Sequence, residues 1–156
     1  MSSERDRPRP SGLNHLGISV TDLDASVAFY CEVLGATIAI PPKEGQSQSS
    51  SWRYAVVALG PLAVDIYQHA ENGGERFAPT RTGLDHLGLS ADTRDDLVAW
   101  ARWLDANGVT LSEIRDAVIG EIFDFVDPDG IQLEFFFMDP KRSKDSALRA
   151  ALHEAR

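Results

Sequence analysis

Four residues of this 156-residue chain have the types and spacing to hold a metal ion. His15 stands in Leu13-Asn14-His15-Leu16-Gly17-Ile18-Ser19-Val20, and the phrase returns as Leu84-Asp85-His86-Leu87-Gly88-Leu89-Ser90-Ala91. Asp65 and Glu134 stand in later apolar runs, at nearly equal distances past their respective histidines. Imidazole nitrogens and carboxylate oxygens are donors for a divalent ion such as Zn, Ni, Fe, Mn or Co. A carboxylate among strands this apolar is costly unless it is paired or bound to a cation. A single histidine on a strand is more often a hydrogen-bonded structural residue than a ligand. Matched histidines with matched carboxylates tilt the reading to one metal site made of His15, Asp65, His86 and Glu134. Asp65 is its weakest member, because its side chain is short and a place behind the ligands or toward substrate suits it as well.

A repeat of this kind organises the rest of the chain. Each copy opens with the histidine phrase and continues into an amphipathic helix. The first helix is expected over residues 21–34, with Leu23, Val27, Tyr30 and Leu34 on one stripe and Gly35 as its stop. The second is expected over 93–107, with Leu97, Trp100, Ala101 and Leu104 inward and Gly108 as its stop. Thr21 with Asp24 and Thr93 with Asp96 read as capping boxes, with Asp in place of Glu. Three strand-like runs follow each helix: 36–40, 52–59 and 62–68, then 109–114, 120–126 and 131–137. Gly60-Pro61 and Asp127-Pro128-Asp129-Gly130 punctuate the last hairpins. Residues 43–51 read as a polar loop.

The sequence therefore predicts an α+β fold of two tandem βαβββ modules, forming an open barrel-like sheet around a central cleft. Residues 1–12 are expected as a flexible tail, 13–69 as the first module and 70–83 as a linker. Residues 84–138 form the second module and 139–156 a C-terminal helix or tail, all in one functional domain. Strand alternation puts Leu16, Ile18, Val20, Leu87, Leu89 and Ala91 under the helices. His15, Asp65, His86 and Glu134 fall on the opposite faces. Arg53, Tyr54 and Tyr67 are candidates to touch substrate. His69 and His153 read as solvated, and Trp100 as core packing.

The net charge of -9 disfavours a broad basic face for nucleic acid. Cys31 is the single cysteine, so no intramolecular disulfide forms, and no basic neighbour in sequence activates it. The first residues carry arginines and prolines with no apolar segment behind them, unlike a signal peptide. No run reaches the roughly 18 apolar residues of a membrane helix. A cytoplasmic protein is expected.

These residues resemble the vicinal oxygen chelate superfamily of glyoxalases, bleomycin resistance proteins and extradiol dioxygenases. The resemblance spans about residues 13–138. It rests on His15-Leu16-Gly17, on Asp24, Phe29-Tyr30 and Val33-Leu34-Gly35, on Asp85-His86-Leu87, and on Asp127-Pro128-Asp129-Gly130 with Leu133-Glu134. It implies a divalent metal on His15, Asp65, His86 and Glu134, with Asp65 where glyoxalase I has Glu. It implies a small substrate that chelates the ion through adjacent oxygens, with Glu134, then Asp65, as catalytic base. Lyase, isomerase or epimerase chemistry is the first expectation. An Fe(II) extradiol-type dioxygenase and a metabolite- or antibiotic-binding resistance protein are the alternatives. A homodimer is the expected assembly.

Overall fold

The computed structural model describes residues 10–142. The expectations for residues 1–9, for His153 and for most of the C-terminal segment lie outside the described residues. The chain divides into two units, Met1–Gly74 and Glu75–Arg156.

The first unit runs β1 (His15–Ser19), α1 (Leu23–Ala28), β2 (Thr37–Gln46), β3 (Ser51–Leu59) and β4 (Leu62–His69). The sheet order is β1-β4-β3-β2, with β1 parallel to β4 and the other pairs antiparallel. Ile18, Val20, Leu23, Tyr30, Val57, Val64 and Ile66 are buried between helix and sheet. Each large apolar side chain so buried contributes about 1.5–3 kcal/mol. The helix differs from expectation at both ends. Asp22, not Thr21, is the cap: its Oδ1 accepts from the amides of Asp24 and Ala25 at 3.0 Å each. After Ala28 the chain continues as a π-helical segment, Phe29–Val33, closed by the Leu34 amide on the Phe29 carbonyl at 3.3 Å. Gly35 then leaves in the left-handed region at φ 73°, where a glycine stop is needed.

The strand expected at 36–40 is longer than its sequence suggests. Lys43, Glu44, Gly45 and Gln46 pair with Tyr54, Arg53, Trp52 and Ser51, so much of the expected loop is strand. Pro41 and Pro42 are tolerated because β2 is an edge strand, and register shifts flank them. The turn itself is Ser47 to Ser50. The Ser47 amide donates to the Ser50 carbonyl at 2.7 Å, and the Ser47 hydroxyl accepts from the Ser49 and Ser50 amides.

The second unit repeats the plan: β5 (Leu87–Ala91), α2 (Arg94–Ala106), β6 (Arg115–Ala117), β7 (Gly120–Val126) and β8 (Gln132–Met138), in the order β5-β8-β7-β6. Here β5 is parallel to β8. The Thr93–Asp96 capping box forms as expected, and Gly108 exits at φ 75°. Trp100 stacks on Phe135 at 4.6 Å between ring centroids, which fixes α2 over β8. The strand expected at 109–114 does not form as a ladder. Leu111 bridges Phe125, but the Asp124 amide turns to the Ser112 hydroxyl at 2.9 Å, so a side chain replaces a backbone rung. The molecule is thus α+β, with two βαβββ-like modules that each carry a four-stranded mixed sheet. Among the described residues, no helix is long and apolar enough to cross a membrane.

Candidate metal centre

The parallel strand pairs place the candidate residues in the same way in each unit. In the first, Gly17 lies opposite Asp65 and His15 opposite Ala63. In the second, Gly88 lies opposite Glu134, and His86 comes two residues before Gly88. Partners opposite one another share a face, so each histidine is diagonal to its carboxylate. His86 stands one residue before β5 rather than within it. The helix lies on the other face: Ile18, Val64, Ile66, Leu133 and Phe135 are buried there, while His15 and His86 are exposed.

The second unit brings its pair together. His86 Nε2 is 3.7 Å from Glu134 Oε1. Two donors each about 2.1 Å from one ion, at a tetrahedral angle, lie about 3.4 Å apart. The pair therefore fits a shared cation within a few tenths of an ångström. Glu134 crosses over Gly88, where an added Cβ would meet its Oε1 at 3.1 Å. The Glu134 side chain is 16% exposed, and among the described residues His86 is its ion-pair neighbour. Asp124, directly opposite Glu134 on β7, is taken by Arg115 at 2.6 Å. Among the described residues Glu134 is thus a largely buried carboxylate whose one ion-pair neighbour is His86, since Arg115, whose charge also reaches it, is paired with Asp124, and this favours a bound cation.

His86 Nδ1–H donates to Asp85 Oδ1 at 2.6 Å, because a carboxylate only accepts. In the neutral ring this leaves the lone pair on Nε2, the atom facing Glu134. The hydrogen bond to Asp85 holds His86 above its ordinary pKa; burial pulls it down, and the Glu134 charge adds to the rise. The anions that favour a proton here favour a metal cation equally. His15 is held in the same manner, with its Nδ1–H on Asn14 Oδ1 at 2.9 Å. Asn14 and Asp85 are functional candidates that sequence reasoning left without a role. Their place before each histidine in the repeat was the available signal.

The first unit holds its pair more loosely. His15 and Asp65 share a face but form no ion pair among the described residues, since Asp ends one methylene short of Glu. No group of three or more His, Cys, Asp or Glu gathers at metal-binding distance among the described residues. The donors brought together are His86 and Glu134.

Other expectations are settled locally. Arg53 points to the helix face, where it pairs with Asp24 at 3.0 Å, so it does not share a face with Tyr54 and Asp65. His69 ends β4 half-buried against Tyr67, at 5.7 Å between rings, rather than solvated. Asp127 Oδ1 accepts from the amides of Asp129 and Ile131, so that segment is a turn. Burial, with Glu32 beside it, pushes the Cys31 thiol up, away from the thiolate.

Asp85→Ala should weaken divalent metal binding about 10–100-fold without removing a ligand, because the His86 ring loses its orientation. Calorimetric titration checks this; an unchanged affinity would leave Asp85 with no part in the site.

The family model of the Glyoxalase/Bleomycin resistance protein/Dioxygenase superfamily matches residues 12–135. The chain is 30% identical over 126 residues to the uncharacterized protein YaeR of Escherichia coli (strain K12), covering 80% of this chain and 94% of YaeR. It is 25% identical over 126 residues to the metallothiol transferase FosB of Staphylococcus epidermidis, covering 80% of each. The crystal structure of a glyoxylase/bleomycin resistance protein/dioxygenase domain from Frankia sp. EAN1pec aligns with a TM-score of 0.70 at 30% identity, over 83% of this chain and 99% of that one.

Proposed function

The chain belongs to the Glyoxalase/Bleomycin resistance protein/Dioxygenase superfamily, and from that premise we propose that it is a metal-dependent, glyoxalase-like enzyme. Its substrate is a small molecule with two adjacent oxygens, and its chemistry is of the lyase, isomerase or epimerase type. The observation that carries the reading is the half-buried Glu134 carboxylate, 3.7 Å from a histidine nitrogen that is its one ion-pair neighbour among the described residues. The metallothiol transferase name of one relative supports metal dependence.

In this reading His86 and Glu134 are the principal ligands. His15 is the third, taken on its equivalent place in the repeat, and Asp65 the fourth. When bound, the cation supplies a Lewis acid for negative charge on a substrate oxygen. Glu134 takes the substrate proton on its carboxylate and returns it, with Asp65 as the second base. Asp85 and Asn14 hold the two imidazoles in the tautomer that leaves Nε2 free. The working form is a cytoplasmic homodimer, and His15 acts from the same chain or from a second copy.

Turnover of 2-hydroxycarbonyl and vicinal-diol substrates by chelator-treated and metal-reconstituted protein tests this. The expected result is activity restored by Zn, Ni, Mn or Co with no oxygen consumed. Equal turnover with and without metal would overturn it, and oxygen uptake confined to Fe(II) would transfer the assignment to a dioxygenase. A narrower expectation concerns Asp65. Asp65→Glu, which restores the missing methylene, should tighten metal binding about tenfold if Asp65 is a ligand. A weaker affinity would take Asp65 out of the ligand set.

A further inference from the structure

The face of the second sheet that carries Glu134 also carries an ion pair that the ligand set does not use. Arg115 is opposite Ile122 on β7, and Ile122 is opposite Phe136 on β8. Partners opposite one another share a face, as do residues two apart on a strand. Arg115, Asp124 and Glu134 are therefore on one face. Among the described strand residues of that face, Arg115 is the one arginine or lysine. Asp124 is directly opposite Glu134, so two carboxylates stand side by side and repel one another.

The half-exposed guanidinium has both carboxylates within reach of its charge. Its Nη1 is 2.6 Å from Asp124 Oδ2 and donates to Ser112 Oγ at 3.1 Å. Ser112 decides which carboxylate it takes. The Ser112 amide donates to the Asp124 carbonyl at 2.9 Å, and the Ser112 hydroxyl accepts from the Asp124 amide at 2.9 Å. The hydroxyl proton goes to the Glu113 carbonyl at 3.1 Å, which leaves the oxygen lone pairs for Asp124 and Arg115. Backbone, hydroxyl and guanidinium together clasp residues 112–115 to Asp124. Glu134, one strand further on, is left with His86.

We propose, on the metal reading given above, that the Arg115–Asp124 pair sets how tightly His86 and Glu134 hold a cation. Asp124 is a positioning residue: it captures Arg115, which would otherwise neutralise Glu134 and repel a divalent ion. Arg115 in turn keeps Asp124 from adding its charge to the ligands. The pair thus holds the site at one free carboxylate, between none and two.

Calorimetric titration of Mn(II) into chelator-treated protein tests this with the wild type, Arg115→Met, Asp124→Asn, the double variant and Arg115→Lys. Arg115→Met should bind Mn(II) about tenfold or more tightly than the wild type, because a repelling charge is gone and the Asp124 carboxylate is released. Asp124→Asn should bind about tenfold or more weakly, because Arg115 passes to Glu134. The double variant and Arg115→Lys should each stay within about threefold of the wild type. Circular dichroism certifies that each variant is folded. A pair with a purely structural role would weaken binding in both single variants. With one ion still bound by the wild type, shifts of the same sign in the single variants, or no shift in either, would overturn the role of the pair alone. A wild type that takes up no Mn(II) would overturn the metal reading, and the role of the pair with it.

Discussion

Glu134→Gln raises the melting temperature of the metal-free protein and abolishes the further rise that a divalent cation gives the wild type. The two effects have one cause. Without a cation, Glu134 is a charge at 16% exposure whose ion-pair neighbour is a histidine at 3.7 Å, too long for a hydrogen bond. The amide is nearly the same shape and carries no charge to desolvate, so the variant gains about 1 kcal/mol. That corresponds to about 2–4 °C for a chain of this size. With cation at a hundredfold excess over its dissociation constant, the wild type gains about 2.7 kcal/mol by mass action, and the variant gains almost none. A residue with a purely structural role gives a single sign. Scanning calorimetry of both proteins, with and without Mn(II), reads all four values. A metal-free variant that melts below the wild type would mean that Glu134 already has a satisfactory partner.

Phe135→Ala has the largest expected effect on stability, about 3–5 kcal/mol of loss. Phe135 is 3% exposed. Its ring stacks on Trp100 of α2 at 4.6 Å, and meets Phe123 and Phe125 of β7 at 5.6 Å each. It joins the helix to the sheet, and three aromatic neighbours cannot all collapse into the space it leaves. Phe135 adjoins Glu134 on β8, with its side chain on the opposite face, so the loss also loosens the strand that aims the carboxylate. Denaturant unfolding should show the full loss, and metal affinity should fall with it. A loss under about 1 kcal/mol would show that α2 is held by something other than this stack.

Much of the architecture was legible because the repeat and the alternation of strands speak through burial. The residues buried in β1, β4, β5 and β8 (Ile18, Val64, Ile66, Ala91, Leu133 and Phe135) all belong to the sets that period-two alternation picks out, and Gly120–Val126 is a strand at its expected ends. What escaped depends on groups whose partners are distant in sequence. Pro41-Pro42 reads as a strand end, yet an edge strand survives it because its outward amides need no partner. Residues 109–114 read as a strand, yet Ser112 inserts its hydroxyl into the ladder. Thr21 reads as the first cap, yet the Asp22 carboxylate, which bonds two amides, takes that place. Arg53 and Tyr54 are adjacent and so must face opposite ways, but only Asp24 reveals which way Arg53 turns. For the site, the residue types and their shared face were legible in the sequence. The reach of Glu against that of Asp, the hydrogen bonds from Asn14 and Asp85, and the emptiness of Gly88 under Glu134 needed coordinates.

In the proposed function His86 and Glu134, with His15, hold a divalent ion. Calorimetric titration of Mn(II) into chelator-treated wild type, His86→Ala and His15→Ala tests it most directly. One ion per chain is expected in the wild type, with affinities weakened more than about a hundredfold in both variants, each still folded by circular dichroism. Equal affinity in all three proteins would contradict it.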